Sequence, residues 1–191
     1  MPESNGLYFS WGNIDGHPLG SGYNFNQDKY DATPGAEITD NLSLSQDAAR
    51  TNLGAPWRMP TAAEFQELYD NCSSIWTTLN GVNGRLFTSN VNGNTLFFPA
   101  AGNYNGTSLN SRGSGGLYLS STYISATDAR ILVFYSSVIY PQNNGDRSHG
   151  FSIRAVLPGT PNRSVIPPTP EDEPKEEETL TVEEPKDNNE R

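Results

Sequence analysis

The spacing of hydrophobic and polar positions changes character along the chain. Leu7-Tyr8-Phe9-Ser10-Trp11 is an aromatic run ended by Gly12, which predicts a first strand pairing with a distant partner. From Asn13 to Asp40, Tyr23, Phe25 and Tyr30 stand as isolated apolar anchors among Gly, Asn, Asp and Pro, the pattern of a long loop pinned to the body. The period then becomes helical. Ser43-Leu44-Ser45-Gln46 has the form of a capping box and Gly54 follows Leu53, predicting a helix over Leu44 to Asn52. Thr61-Ala62-Ala63-Glu64 is a second capping box, and Phe65, Leu68, Tyr69 and Cys72 fall at i, i+3, i+4 and i+7 as one buried stripe.

From Ile75 onward the pattern turns to short strands. Ile75 to Leu79, Arg85 to Ser89 and Thr95 to Phe98 are strand-like, and Asn80-Gly81, Asn83-Gly84, Asn92-Gly93 and Asn105-Gly106 offer the positive φ that hairpin turns need. Together they predict a meander. Asn103 to Gly116 reads as a Gly/Ser/Asn loop, after which Tyr118 to Thr122, Arg130 to Tyr135 and Phe151 to Val156 supply closing strands.

Two neighbours in this last part stand apart. Ala129 to Tyr135 is too apolar and β-branched for a loop, whereas Pro141 to Asp146 is too rich in turn formers for a strand, so the pair suggests strands carrying a displayed loop. If Leu132 and Phe134 point inward, alternation points Ile131, Val133 and Tyr135 outward, and exposed apolar residues in a row suggest a partner site. Residues alone equally allow a strand buried on both faces. Tyr118, Tyr123, Tyr135 and Tyr140 with Arg130 form a set typical of recognition surfaces, where rigid aromatics contribute area at small entropic cost.

Composition and charge divide the chain. The 191 residues are 34% hydrophobic with 18 Gly and 14 Pro, which suits one loop-rich domain and an appendage. The formal net charge of -10 is unevenly placed, because ten acidic residues against four basic ones lie between Pro158 and Arg191. That segment, with seven prolines and almost nothing apolar, is expected to be a disordered acidic tail (residues 158–191). The body (residues 1–157) is only mildly acidic and has no basic stripe, which argues against nucleic acid and anionic membrane as partners. The start, Met1 to Gly6, has no basic or apolar region of a signal peptide, and no window reaches the length of a membrane span.

Candidate chemistry is sparse. The single cysteine, Cys72, lies on the helical stripe and reads as a small buried hydrophobe; it excludes an intrachain disulfide and a Cys-based zinc cage. His17 and His149 have no carboxylate or second His at ligand spacing, and no Ser/His/Asp order or phosphate-binding Gly loop is recognisable. Asp15, Asp28 and Asp31 lack the spacing of a dedicated calcium loop. No cofactor is expected, and no catalytic or metal-ligating residue is assigned.

Specific blocks nevertheless carry a family resemblance. Gly54 to Thr61 (GAPWRMPT), Glu64-Phe65 with Leu68, Phe97 to Gly102 (FFPAAG), Ser120-Ser121-Thr122 and Gly150 to Val156 (GFSIRAV) resemble the Fibrobacter succinogenes major paralogous domain, common in gut bacteria, over nearly all of Leu7 to Leu157 in the same order. The resemblance implies an α+β, C-type lectin-like fold: two helices packed on short antiparallel sheets, N- and C-terminal strands adjacent, and a long loop region displayed on one face.

Tyr118 to Val156 further resembles the variable region of diversity-generating retroelement target proteins on this scaffold, in which Asn codons of a template are rewritten by mutation at adenines. Pro141 to Asn144, Arg147 and Gly150 to Arg154 stand as in that pattern, with Leu119 in place of the usual Trp. Ile124, Asp128, Ile131, Val133, Tyr135, Val138, Tyr140, Gly145, Asp146 and His149 occupy places where templates have Asn, and Arg130 and Ser148 places where Tyr is common. With Leu117 and Tyr118, these residues are the expected ligand-binding face, in a variable region of about 117–149.

The expected function is therefore a non-enzymatic receptor or adhesin domain displaying a retroelement-diversified face to a protein or glycan on another cell or virion surface. Its expected location is extracellular, on a cell or a phage. The alternative is a structural or adhesive surface or virion protein of fixed sequence. A third reading, an enzyme like the formylglycine-generating enzymes that share the lectin-like scaffold, meets the difficulty that those enzymes rely on paired cysteines. Calcium-dependent sugar binding lacks its Glu-Pro-Asn or Gln-Pro-Asp signature. Arg58, Glu64, Asp70 and Arg154 are expected to be structural charges in half-buried pairs.

Overall fold

Residues 3–28 and 41–158 are described by the computed structural model. Tyr30, Asp31, the rest of the predicted loop up to Asp40, and the expected tail from Gly159 lie outside the described residues. The fold is α+β, with two helices and mostly strands in curled sheets. The strands are β1 (Tyr8–Phe9), β2 (Cys72–Leu79), β3 (Val82–Ser89), β4 (Thr95–Pro99), β5 (Asn103–Asn105), β6 (Ser108–Asn110), β7 (Gly115–Tyr123), β8 (Asp128–Tyr135), β9 (Ile139–Asp146) and β10 (Gly150–Ser152). The helices are α1 (Ala48–Leu53) and α2 (Ala62–Asn71).

α2 begins where its capping box lies. The Thr61 hydroxyl accepts from the Glu64 N–H at 3.2 Å while the Glu64 carboxylate accepts from the Thr61 N–H at 2.8 Å, so two orphan donors are satisfied at once. Phe65 is buried and Leu68 and Cys72 pack against the same core, but Tyr69 is exposed, because the helix is half covered and its stripe narrows to one edge. α1 starts later than predicted. Asp47, not Ser43, is the cap: its carboxylate accepts the Arg50 N–H and also the Met59 N–H, so the local cap is locked by a residue twelve positions away. Gly54 closes α1 as expected, with φ 79°.

β2, β3 and β4 form the meander as a three-stranded antiparallel sheet. Its first hairpin turns at Asn80-Gly81, both with positive φ. Asn83-Gly84 is no turn. Both residues lie inside β3, and Gly84 is there because a Cβ would stand 2.3 Å from the Phe98 carbonyl oxygen. The predicted loop Asn103 to Gly116 contains the small hairpin β5–β6, turning at Gly106 with φ 59°.

The second sheet has the order β6-β5-β10-β7-β8-β9, with β1 also paired to β10. β1 and β10 are antiparallel, Tyr8 opposite Ser152 and Phe9 opposite Phe151, so the two ends of the body meet in its centre. β10 then joins β7 in parallel, and β7, β8 and β9 run antiparallel. The last predicted strand is shorter than Phe151 to Val156; beyond Ser152 it touches the body through the Arg58–Val156 bridge. Pro141 to Asp146 belongs to β9, not to a displayed loop. Among the described residues it is the edge strand, paired only with β8, and pairing overrides turn propensity there.

Each face of β7–β8 meets its own core. On one side Leu119, Ala129, Ile131 and Val133 pack with Phe9, Trp11, Leu42, Met59, Phe151 and the α1 residues Ala48 and Ala49. On the other side Tyr118, Leu132 and Phe134 pack with Phe65 of α2 and with Phe87 and Phe98 of the meander. Ile131 and Val133 therefore point inward, contrary to the outward placement expected from alternation, because α1 and its flanking segments cover the face that a one-sided sheet would leave open. Leu119 is core as well, only 1% exposed. No helix among the described residues is long and apolar enough to cross a membrane.

Candidate functional site

The expected binding face divides into core and surface. Tyr118, Ile131, Val133, Gly145 and Ser148 are buried, so the structure corrects the expectation that they are displayed. Tyr118 donates its hydroxyl to the Pro99 carbonyl at 2.7 Å, and burial pushes its phenol far above the ordinary tyrosine range. At Gly145 a Cβ would stand 2.8 Å from Ile131 Cγ2 and 3.1 Å from Phe151 Cζ, so the position is closed by packing. Ser148 is turned onto the Asp146 carboxylate, to which its N–H and hydroxyl donate at 2.9 and 2.8 Å.

The accessible remainder lies along the β8–β9 hairpin. Tyr135 and Tyr140 are exposed at one end, 37% and 48% respectively, with half-buried Val138 in the connection and Leu117 half-buried on β7. The Tyr135 N–H donates to the Val138 carbonyl at 2.9 Å and closes the turn. The Tyr135 ring lies over Gly115, where a Cβ would come within 2.6 Å of it; the missing side chain seats the ring.

Midway along the hairpin, Arg130 donates from Nη1 to the Asn144 side-chain oxygen at 2.7 Å and to the Gln142 carbonyl at 3.2 Å. Gln142, Asn143 and Asn144 are exposed beside it. They stand as in the resembled pattern and are not among the expected contact residues, yet they are among the most accessible polar groups of the hairpin; their position on an edge strand depends on pairing that no local signal carries.

The far end holds half-buried Ile124, Asp128, Asp146 and His149. Here Asp128 accepts from Ser125 and Thr127, and the His149 ring lies 6.0 Å from that of Phe151. An eight-residue strand spans roughly 25 Å, so Tyr135 and Tyr140 are separated from Asp128 and Asp146 by about the length of β8. The structure thus brings Tyr135, Val138 and Tyr140 together, and Asp128, Asp146 and His149 together, at opposite ends. Arg147 fixes the second end: its guanidinium carbon sits 4.4 Å from the Trp11 ring centroid, and Nη1 donates to the Ala126 carbonyl at 2.8 Å.

What this surface offers is aromatic area and amide and guanidinium hydrogen bonding. Among the described residues no group of three or more His, Cys, Asp and Glu side chains could hold a metal ion. Burial raises the Cys72 thiol pKa, which disfavours the thiolate. His17 stacks on Tyr23 at 3.4 Å, and Asp28 accepts hydrogen bonds from Ser10 and Tyr23, whose phenol is pushed up to about 12 by burial and by that carboxylate.

The structural charges are only partly paired. Arg58 and Glu64 form a bidentate pair at 2.7 and 2.6 Å, and the Arg58 backbone exchanges two hydrogen bonds with Val156, so one residue links α2 to the closing segment. That hydrogen bonding holds the Glu64 carboxyl below its ordinary range, against the opposing effect of burial. Asp70 is exposed and accepts from Gln66, and Arg154 lies over the Phe98 ring at 5.8 Å with no ion pair among the described residues. Comparison of the chain with protein-family models, with curated proteins and with solved structures finds no match.

Proposed function

We propose that this chain is a non-enzymatic recognition domain on a C-type lectin-like scaffold, a receptor or adhesin whose β8–β9 hairpin presents a retroelement-diversified face. The observation that carries the proposal is the exposed set Tyr135, Tyr140, Gln142, Asn143 and Asn144, with half-buried Arg130, on a strand pair whose Ala129, Ile131, Leu132, Val133 and Phe134 are held in two cores. Rigid aromatics beside amides and a guanidinium supply contact area and directed hydrogen bonds, the combination that recognition surfaces use. The partner is a protein or glycan on another cell or virion, and the domain acts outside the cell.

The test has a genetic and a binding arm. A near-copy of the codons for Tyr118 to Arg154, differing at adenines and accompanied by a reverse transcriptase gene, is expected beside the coding sequence; absence of both sinks diversification. Substitution of Tyr135, Val138, Tyr140 and His149 by Ala is expected to abolish binding to target cells while leaving the melting curve unchanged. Unfolding of that variant would assign the residues to the core instead.

One observation favours a second reading, an adhesive or structural surface or virion protein of fixed sequence. Ile131, Val133 and Gly145 are places where templates carry Asn, and each is enclosed by packing, so free variation there conflicts with the core. Homologous chains with the same three residues and a constant hairpin would support that reading.

A further inference from the structure

A cavity of about 520 Å³ lies away from the hairpin, lined by none of its residues and formed where α2, β4 and the closing segment meet. Trp57, Leu68, Leu96 and Phe98 supply apolar walls, and the charged residues in the lining are Glu64 and Arg154. The volume is in the range of small-molecule sites, which are typically about 300 to 1,000 Å³.

The two charges differ in their commitments. Glu64 is neutralised by the bidentate hydrogen bonds from Arg58 and is further occupied by Thr61. Arg154 is a half-buried residue whose guanidinium makes no hydrogen bond or ion pair with any described residue; its contact is the Phe98 ring, itself a wall of the cavity. Counting Arg58 with Glu64, the described residues leave the cavity with one positive charge, that of Arg154. An arginine presents a planar fork of N–H donors matched to a carboxylate, and with one side laid on an aromatic ring the fork is held in orientation.

We infer that this cavity is a binding site for a small apolar monocarboxylate, its hydrocarbon or aromatic body among Trp57, Leu68 and Leu96 and its carboxylate on the Arg154 guanidinium. The charge complement selects an acid, and the apolar walls of this half-open cleft favour a body without further polar groups. The site is independent of the recognition face proposed above and stands if that proposal fails.

The test is isothermal titration calorimetry of the full chain with 4-phenylbutyrate and with its neutral isostere 4-phenylbutyramide. The acid is expected to bind, and the amide to bind about tenfold more weakly or worse, since the charge-assisted hydrogen bonds are lost. Arg154→Gln is expected to reduce the acid to the affinity of the amide, Leu96→Trp to abolish both by filling the cavity, and Tyr140→Ala to change neither. Equal affinity of acid and amide, absence of acid binding at millimolar concentration, or acid binding that survives Leu96→Trp overturns the inference. Should Arg154→Gln fail to fold by its melting curve, the acid-to-amide ratio on the unaltered chain and the Leu96→Trp result decide the matter.

Discussion

Ile131 and Leu132 are consecutive residues of β8 that enter different cores, Ile131 against Phe9, Met59 and Phe151 on the α1 side and Leu132 against Phe65 and Phe98 on the α2 side. Both are about 1 to 2% exposed. Truncation of either leaves a cavity in a packed interior, so Ile131→Ala and Leu132→Ala are each expected to cost about 2 to 4 kcal/mol, whereas Tyr140→Ala is expected to cost less than about 1 kcal/mol. Urea denaturation of the three variants measures this. An Ile131→Ala cost no larger than that of Tyr140→Ala would return Ile131 to the surface.

Acid stability should depend on Arg58 and Glu64. With the Glu64 pKa depressed in the folded chain by the Arg58 hydrogen bonds, the folded state binds that proton more weakly than the unfolded state. The contribution is complete at neutral pH and is lost as pH falls from the unfolded glutamate value through the lower folded one. Glu64→Gln is expected to lower stability at pH 7 by about 1 to 2 kcal/mol and to flatten the acid limb of the melting temperature against pH. A variant whose acid limb stays parallel to that of the parent would assign the acid sensitivity to other carboxylates.

Gly84 is required by proximity rather than by φ. A methyl group there would overlap the Phe98 carbonyl oxygen and the Phe97 ring, forcing β3 and β4 apart. Gly84→Ala is expected to destabilise by about 1 to 3 kcal/mol, although Ala is the better strand residue on propensity. Thermal melts decide the sign, and a neutral or stabilising result would mean that the two strands separate without loss.

Arg147 should not tolerate Lys. The charge would be kept, but the fork that donates to the Ser125 and Ala126 carbonyls and lies over Trp11 would be lost in a buried setting. Arg147→Lys is expected to cost about 2 kcal/mol and to alter the tryptophan emission spectrum of the folded chain. Unchanged emission and melting would show that the charge alone is sufficient.

The elements legible in the sequence are those whose cause is local. The Thr61 and Glu64 capping box, the Asn80-Gly81 hairpin and the Gly54 helix end need only a few adjacent residues, and each appears where its signal lies. β8 was harder for a physical reason: apolar residues on both faces describe equally a strand with one displayed face and a strand enclosed twice, and the segments covering Ile131 come from residues 9–11, 42–49 and 59. Asp47 outcompetes Ser43 as a cap because Met59 supplies a second donor, and β9 is a strand because β8 is beside it. Within the candidate site the same division holds. The accessibility of Tyr135, Tyr140 and Arg130 agrees with the alternation and composition of their segment, but the exposure of Gln142 to Asn144 and the placement of Arg154 over Phe98 depend on distant segments brought together.

β9 lies at the end of its sheet, and it carries Pro141 at the irregularity in its pairing with β8. A proline has no N–H to offer, and a broken register cannot serve as a continuous template, so the margin is a poor place for another chain to extend the sheet. Whatever settles on this margin must therefore be read through Tyr140, Gln142, Asn143 and Asn144 rather than through the main chain. Main-chain pairing is much the same for any partner, whereas side chains can be exchanged without moving the strand that bears them; in the recognition role proposed above, specificity on this edge would be a separable layer laid over an unchanging support.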